Sequence, residues 1–528
     1  MRKRSLFILL GLAVAVAAEP RGDDVFSLVL EGGSVYDGSG GEPVVADVGI
    51  QGERIHAIGD LSGARAGKRL DVRGLAVVPG FIDTHSHAVR GIFRHPLAEN
   101  YIRQGVTLAV GGPDGGSPFP VAEFLARLDL EPAAINFALT VGHGTIRRAV
   151  MGNVDRDPSE AELTRMEAMV EQAMREGAFG LSSGLKYVPG AYAKTEELIA
   201  LARIAAAHGG YYVSHMREEG LLLVESVEET IRIGEEAGLP AQLTHHKVVG
   251  APMWGASEKT LAMVDAARAR GVDVTIDQYP YTASSTSLSI LFPAWSLEGD
   301  RDDQLARLRE PRERRRIKAA IVKNLAEDRG GGDPKNVVVS RCEWNPSLQG
   351  KSLADILRDR DRPVNLEEAA ELAMELQEKG GFGGIFHAMT EEDVRRILRY
   401  PYTMVASDGG IVVPGEGVPH PRNYGTFARV LGHYARDLGI VSVPEAIRKM
   451  TSLPASRMGL VDRGVLRPEA VADVVVLDLD EVRDTAVFGD PHHYATGARH
   501  VFVNGVAVLL DGEMTGARPG RALRKETP

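Results

Sequence analysis

The chain has 528 residues, 44% hydrophobic and 25% charged, which is enough apolar material for a large core and too ordinary a balance for global disorder. Its formal net charge of −11 argues against nucleic acid or an anionic membrane as the main partner, since both require basic surface. The single cysteine, Cys342, excludes an internal disulfide, so stability must come from packing.

In chain order, the opening stretch MRKRSLFILLGLAVAVAAEP places three basic residues before an apolar run from Leu6 to Ala18. That is the layout of a signal peptide over residues 1–18, with cleavage near Ala17 or Ala18. The run is about 13 residues, short of the roughly 20 that span a bilayer. The expected product is therefore exported, periplasmic or secreted, and free of the membrane once the leader is removed. Residues 24–76 read as strands and Gly turns, and so do residues 459–528, where VFVNGVAV puts an Asn-Gly hairpin turn between apolar runs. Two β-rich flanks predict one small β-sandwich built from both chain ends.

Residues 77–458 carry eight short β-prone runs, each ending on a polar residue able to do chemistry: LAVVPGFIDTHSH, GVTLAVGGPD, INFALTVGH, AFGLSSGLK, GYYVSH, AQLTH, VDVTID and YTMVASD. Helical patterns lie between most of them. SEAELTRMEAMVEQAMREG, for example, opens on Ser159 with Glu162 three residues later and closes on Gly177. The alternation predicts an α/β protein with a parallel sheet. Eight strands with reactive C-terminal ends fit a (β/α)8 TIM-type barrel, whose active site is built from those ends. A doubly wound sheet would not bring all eight ends to one point. From about 288 to 381 the chain is charged and helical, and reads as an insertion between the last two barrel strands. Its basic run reads as a solvated helix face.

The first run ends in His85-Ser86-His87, and residues i and i+2 of a strand project from the same face. Two imidazoles aimed at one spot point to a metal. His215 ends the fifth run, His245 the sixth and Asp408 the eighth, so four histidines and an aspartate converge on one barrel mouth. Nitrogen and carboxylate donors suit zinc, with one or two ions. His246, adjacent to His245, must face the other way and reads as structural.

The order PGFIDTHSH, SHMREE, LTHHK and ASDGG resembles the amidohydrolase superfamily and, within it, the D-aminoacylase (N-acyl-D-amino-acid deacylase) family. VGHGTIRRAVMG, GLSSGLKYVPGAYAKTEE, DQYPYTASST and HPRNYGTFARVLGHY extend the resemblance over nearly the whole chain after the leader. It implies that His85, His87 and Asp408 bind one metal and that His215 and His245 bind the other. It also implies hydrolysis of the amide bond of N-acyl-D-amino acids by metal-activated hydroxide, with Asp408 as general acid/base. The alternatives are a dipeptidase or cyclic-amide hydrolase of the same superfamily, or a catalytically dead binding protein on the same scaffold. The expected partner is a small N-acyl amino acid or peptide; oligomeric state is left open.

The sequence departs from the family where a bridging cysteine is expected: GVTLAVGGPDGG has Asp114 in that place. Lys186, ending the fourth run, then becomes the expected bridge as a carboxylated lysine, with Asp114 either a ligand itself or a partner for the ammonium. Arg422 and Arg147 match family positions at the mouth, where a guanidinium can clamp a substrate carboxylate. His143, Tyr187, Lys247 and Tyr279 complete the expected substrate contacts.

Overall fold

The computed structural model describes residues 25–526; the expected signal peptide lies outside the described residues. Its centre is a set of parallel strands, β1 (Phe81–Asp83), β2 (Val106–Gly111), β3 (Asn136–Leu139), β4 (Gly180–Gly184), β5 (Tyr211–His215), β6 (Ala241–Leu243), β7 (Val274–Gln278) and β8 (Thr403–Val405). The ladder runs β1-β2-β3, breaks at Thr140, resumes where Val141–Gly142 pairs with β4, and continues β5-β6-β7-β8. Beyond the strand ends, Asp408 N donates to His85 O at 2.9 Å and Ser86 bridges Gly409, so β8 neighbours β1.

The strands are buried along their length, as near-continuous apolar runs in parallel sheets must be. Helices cover them, and their ends follow from local chemistry. Helix Glu160–Arg175 starts at Ser159, whose hydroxyl accepts from Glu162 N while the Glu162 carboxylate reaches back to Ser159 N. Leu198, Leu201, Ala202 and Ala205 of helix Thr195–Ala207 join the central core at helical spacing.

The chain ends meet in one hydrogen-bonded sheet of nine strands. Ala76–Pro79 from the front pairs antiparallel with Val474–Leu477 from the back. Alternation along the latter divides its load: Val474 and Val476 pack with Leu30, Ile50 and Val77, whereas Val475 and Leu477 enter the core beneath the central strands.

Between β7 and β8 the chain builds a separate layer. Strands Ser284–Ser287, Val337–Arg341 and Gly383–Phe386 form a three-stranded antiparallel sheet. Helices Pro311–Glu327 and Leu366–Glu378 close it around a core of its own, with Ile317, Ile321, Leu325 and Leu372. Cys342 is buried in that core.

Candidate metal centre

The ends of β1 and β8 are tied together by one buried carboxylate. Asp83 Oδ1 accepts from His85 N at 3.3 Å and from Ser407 N at 2.9 Å, which fixes the two segments carrying His85, His87 and Asp408. The extended course after β1 keeps the two imidazoles on one side, with ring centroids 5.6 Å apart. Asp114 lies in the turn after β2. Gly184 allows the end of β4 to abut that turn, since a Cβ there would lie 2.1 Å from Asp114 O.

Asp114 sits between two pairs of histidines. Its Oδ2 is 3.4 Å from His85 Nε2 and 3.3 Å from His87 Nε2. Its Oδ1 is 3.4 Å from His215 Nδ1 and 3.3 Å from His245 Nε2. Asp408 closes the first side, with Oδ1 at 3.1 Å from His87 Nε2 and 3.5 Å from His85 Nε2. Asp114, His245 and Asp408 all have left-handed backbone, φ 56°, 36° and 48°. Such conformations are uncommon outside glycine and gather at functional sites.

Hydrogen bonding orients the first of these rings. Asp277 Oδ2 accepts from the Thr244 hydroxyl at 2.6 Å, so Thr244 Oγ1 accepts from His85 Nδ1–H, 2.5 Å away. With Nδ1 turned to Thr244, Nε2 of His85 is left facing the carboxylates of Asp114 and Asp408. His85 Nε2 and Asp114 Oδ1 are buried without a hydrogen-bond partner. Two donor sets, His85, His87, Asp114 and Asp408, and Asp114, His215 and His245, each gather their ligand atoms within 4.8 Å of one another. Buried nitrogen and carboxylate donors gathered this closely fit divalent cations of the zinc type.

The electrostatics agree. Burial would raise the Asp114 carboxyl, but His85, His215 and His245 outweigh it and hold it well below the usual carboxylate range. Asp408 behaves likewise: burial opposes ionisation, while Arg422 and His85 favour it more strongly and lower the carboxyl. Without a cation, burial pulls His87 down, but its hydrogen bonds to Asp114 and Asp408 win and push it up to about 9. His245 also rises to about 9, as Glu219 and Asp114 overcome burial and the Lys247 charge. Burial takes His215 down to about 4.

Several expected site residues lie elsewhere. Lys186 follows the end of β4 and turns away from the cluster: its ammonium pairs with Glu218 and lies 3.5 Å from Asp328 Oδ2. The place between the two histidine pairs is taken by Asp114, whose carboxylate faces both, while the lysine stem follows the chain outward. Arg147 and His143 are fully buried and both hold Glu197, with His143 Nε2 2.7 Å from Glu197 Oε1. They are an internal charge cluster and do not line the mouth. Lys247 stands behind the metal site, its Nζ 2.6 Å from both His245 Nδ1 and Glu219 Oε1. Tyr279 is buried with its ring 4.7 Å from the Arg422 guanidinium and its hydroxyl unpartnered. Arg422 and Tyr187 do reach the mouth: Arg422 Nη1 is 2.9 Å from Asp408 Oδ2, and the Tyr187 ring stands 4.5 Å from His215. His246 points away, to Thr260 Oγ1 at 2.8 Å.

His87, Asp114, Asp408, Arg422 and Tyr187 line a cavity of about 920 Å³. Sequence reasoning missed Glu219 and Arg329, which stand behind His215 and His245. Glu219 lies beyond a strand end and Arg329 lies in the insertion, so the strand-end pattern could reach neither.

The model of the amidohydrolase family matches residues 360–509. D-aminoacylase of Alcaligenes xylosoxydans xylosoxydans is 39% identical over 95% of this chain and 98% of its own length. The chain belongs to the D-aminoacylase family. N-acyl-D-glutamate deacylase from the same organism is also 39% identical, over 94% of this chain and 96% of that protein. A D-aminoacylase crystal structure superposes with a TM-score of 0.81 at 38% identity, covering 94% of this chain and all of that one. The family's N-acyl-D-glutamate deacylase from Bordetella bronchiseptica, complexed with zinc and a phosphonate mimic of the tetrahedral intermediate, superposes at 0.82 with 34% identity, covering 95% of this chain and 100% of that chain. Another solved D-aminoacylase is described by its binuclear metal centre, with one-metal activation and second-metal attenuation.

Proposed function

We propose that this chain hydrolyses the amide bond of N-acyl-D-amino acids at a zinc centre held by His85, His87, Asp114, His215, His245 and Asp408. The observation that carries the reading is the Asp114 carboxylate facing two histidine pairs at 3.3–3.4 Å beneath an open cavity. We read the eight parallel strands as a closed (β/α)8 barrel and the nine-stranded sheet as folded over into a sandwich. In support, β8 neighbours β1, and successive residues of Val474–Leu477 pack into different cores. Export is part of the same proposal, supported by the basic and then apolar first 18 residues.

A divalent cation bound there supplies the Lewis acid that acidifies water and polarises an amide carbonyl. The chain supplies the rest. Asp408 is a carboxylate at neutral pH, anchored through Oδ2 by Arg422, so its Oδ1 is placed to accept a proton and return it to the leaving nitrogen. Arg90, Arg94, Arg148, Arg341 and Arg422 line the cavity, against Glu416 as the one lining carboxylate outside the cluster among the described residues. In a chain of net charge −11, that local excess of cations favours a substrate bearing a free carboxylate, as N-acyl amino acids do.

The test is incubation of zinc-supplied protein with racemic N-acetyl amino acids, followed by chiral chromatography. The expected result is release of D-enantiomers, abolished by a chelator. Cleavage of dipeptides or cyclic amides alone would overturn the substrate assignment and keep the metal centre.

A further inference from the structure

The outer ring nitrogens of the two histidine pairs meet different parts of the molecule, while Asp277 Oδ1 accepts from the backbone of His245 at 2.7 Å. Behind His85 stand Thr244 and Asp277, at the ends of β6 and β7. Behind His215 and His245 stands one carboxylate, Glu219, buried to 1% exposure. Its Oε1 is 3.1 Å from His245 Nδ1, and Oε2 stands opposite His215 Nε2 at 3.7 Å, beyond hydrogen-bond distance. His245 Nδ1 thus meets both Glu219 Oε1 and the Lys247 ammonium on its outer side while Nε2 faces Asp114, so Glu219 and its cation orient the ring by which a metal would be held.

Glu219 is itself held from two sides, by the barrel through Lys247 and by the inserted segment through Arg329. Lys247 Nζ lies 2.6 Å from Oε1, and the Arg329 guanidinium donates to Oε2. Arg329 belongs to the inserted segment, directly after helix Pro311–Glu327, and is 2% exposed. Its Nη1 donates to Ser284 Oγ at 3.1 Å, on the edge of the inserted sheet. The helix end is docked closely: Gly250, φ +85°, runs past it where a Cβ would lie 2.2 Å from Glu327 O.

We propose that Glu219 and Arg329 form a positioning clamp through which the inserted segment sets the metal affinity of the His215–His245 half, while the His85–His87 half is set by the barrel strands. The inference rests on the metal-dependent reading of the site, and its test contains no substrate, so the outcome is independent of the deacylase assignment. Full-length, chelator-stripped protein is titrated with Co²⁺ and followed by visible absorption and calorimetry, in backgrounds that retain one half each. With His87→Ala retaining the His215–His245 half, Arg329→Gln should weaken binding by about 10–100-fold, and Arg329→Lys should restore part of the loss. With His245→Ala retaining the other half, Arg329→Gln should leave the affinity unchanged, whereas Thr244→Val should weaken it. Equal losses in both backgrounds, no loss in the first, or no Co²⁺ binding by the His87→Ala protein would overturn the clamp. If Arg329→Gln does not fold, the near-isosteric Glu219→Gln takes its place in both titrations: a loss confined to the His87→Ala background supports the clamp, and equal losses or none overturn it.

Discussion

The chain buries two clusters of histidine, carboxylate and cationic side chains, and only one of them has the character of a ligand site. In the cluster around Glu197, contacts run from donor to acceptor: His143 Nε2 and Arg147 Nη1 meet its two oxygens, and Arg147 Nη2 donates to Arg156 O at 2.6 Å. In the cluster around Asp114, nitrogen and carboxylate atoms crowd one point: Asp114 faces both histidine pairs at 3.3–3.4 Å, and His245 Nε2 lies 2.6 Å from His215 Nδ1. Burial and residue type are alike in both. What separates a charge cluster that holds the fold from one suited to a cation is the gathering of ligand atoms within 4.8 Å of one another around Asp114.

Similar substitutions should therefore have different consequences in the two clusters. The largest effect belongs to Asp408→Asn, which should cut turnover on the order of 10²–10⁴-fold while far-UV circular dichroism shows a folded protein. Asp114→Asn comes next: losing a ligand shared by both halves should lower Zn²⁺ affinity at least about 100-fold, read by equilibrium dialysis. Arg147→Met in the other cluster should do the reverse. It leaves Glu197 buried and under-compensated, at a cost of about 3–5 kcal/mol in denaturant unfolding, with Zn²⁺ affinity unchanged.

Protons should compete with metal only in the Asp114 cluster. His87 and His245 are raised to about 9 in the metal-free protein, so below that pH each holds a proton that an incoming cation must displace. Apparent affinity should therefore climb as pH rises from about 7 to 9, on the order of tenfold per unit for each proton released. Calorimetry in buffers of differing ionisation enthalpy counts those protons; a flat profile would mean the rings are already neutral. The smallest effect is expected from Lys186→Ala, which should retain the wild-type metal content because the ammonium pairs with Glu218 and Asp328. Loss of metal in that variant would return the lysine to the bridge.

The repeated apolar runs ending in polar residues were enough to place His85, His87, His215, His245 and Asp408 at one end of a parallel sheet, because strand ends and the two-residue period are local properties of the chain. The family resemblance rested on the same residues, and the relatives confirm it. Which group stands between the two histidine pairs was not local. Asp114 and Lys186 each follow a strand, and only the left-handed turn at Asp114, seated on Gly184, aims one side chain inward while the other leaves. Arg147 and His143 carry the same chemistry as mouth residues, and helix packing, invisible in a motif, buries them against Glu197. Glu219 and Arg329 lie 110 positions apart and meet only because the inserted layer docks beside β5 and β6. Sequence determined which groups stand at strand ends; the tertiary fold decided which of them share a proton, a partner or a metal, since those depend on distances between segments remote in the chain.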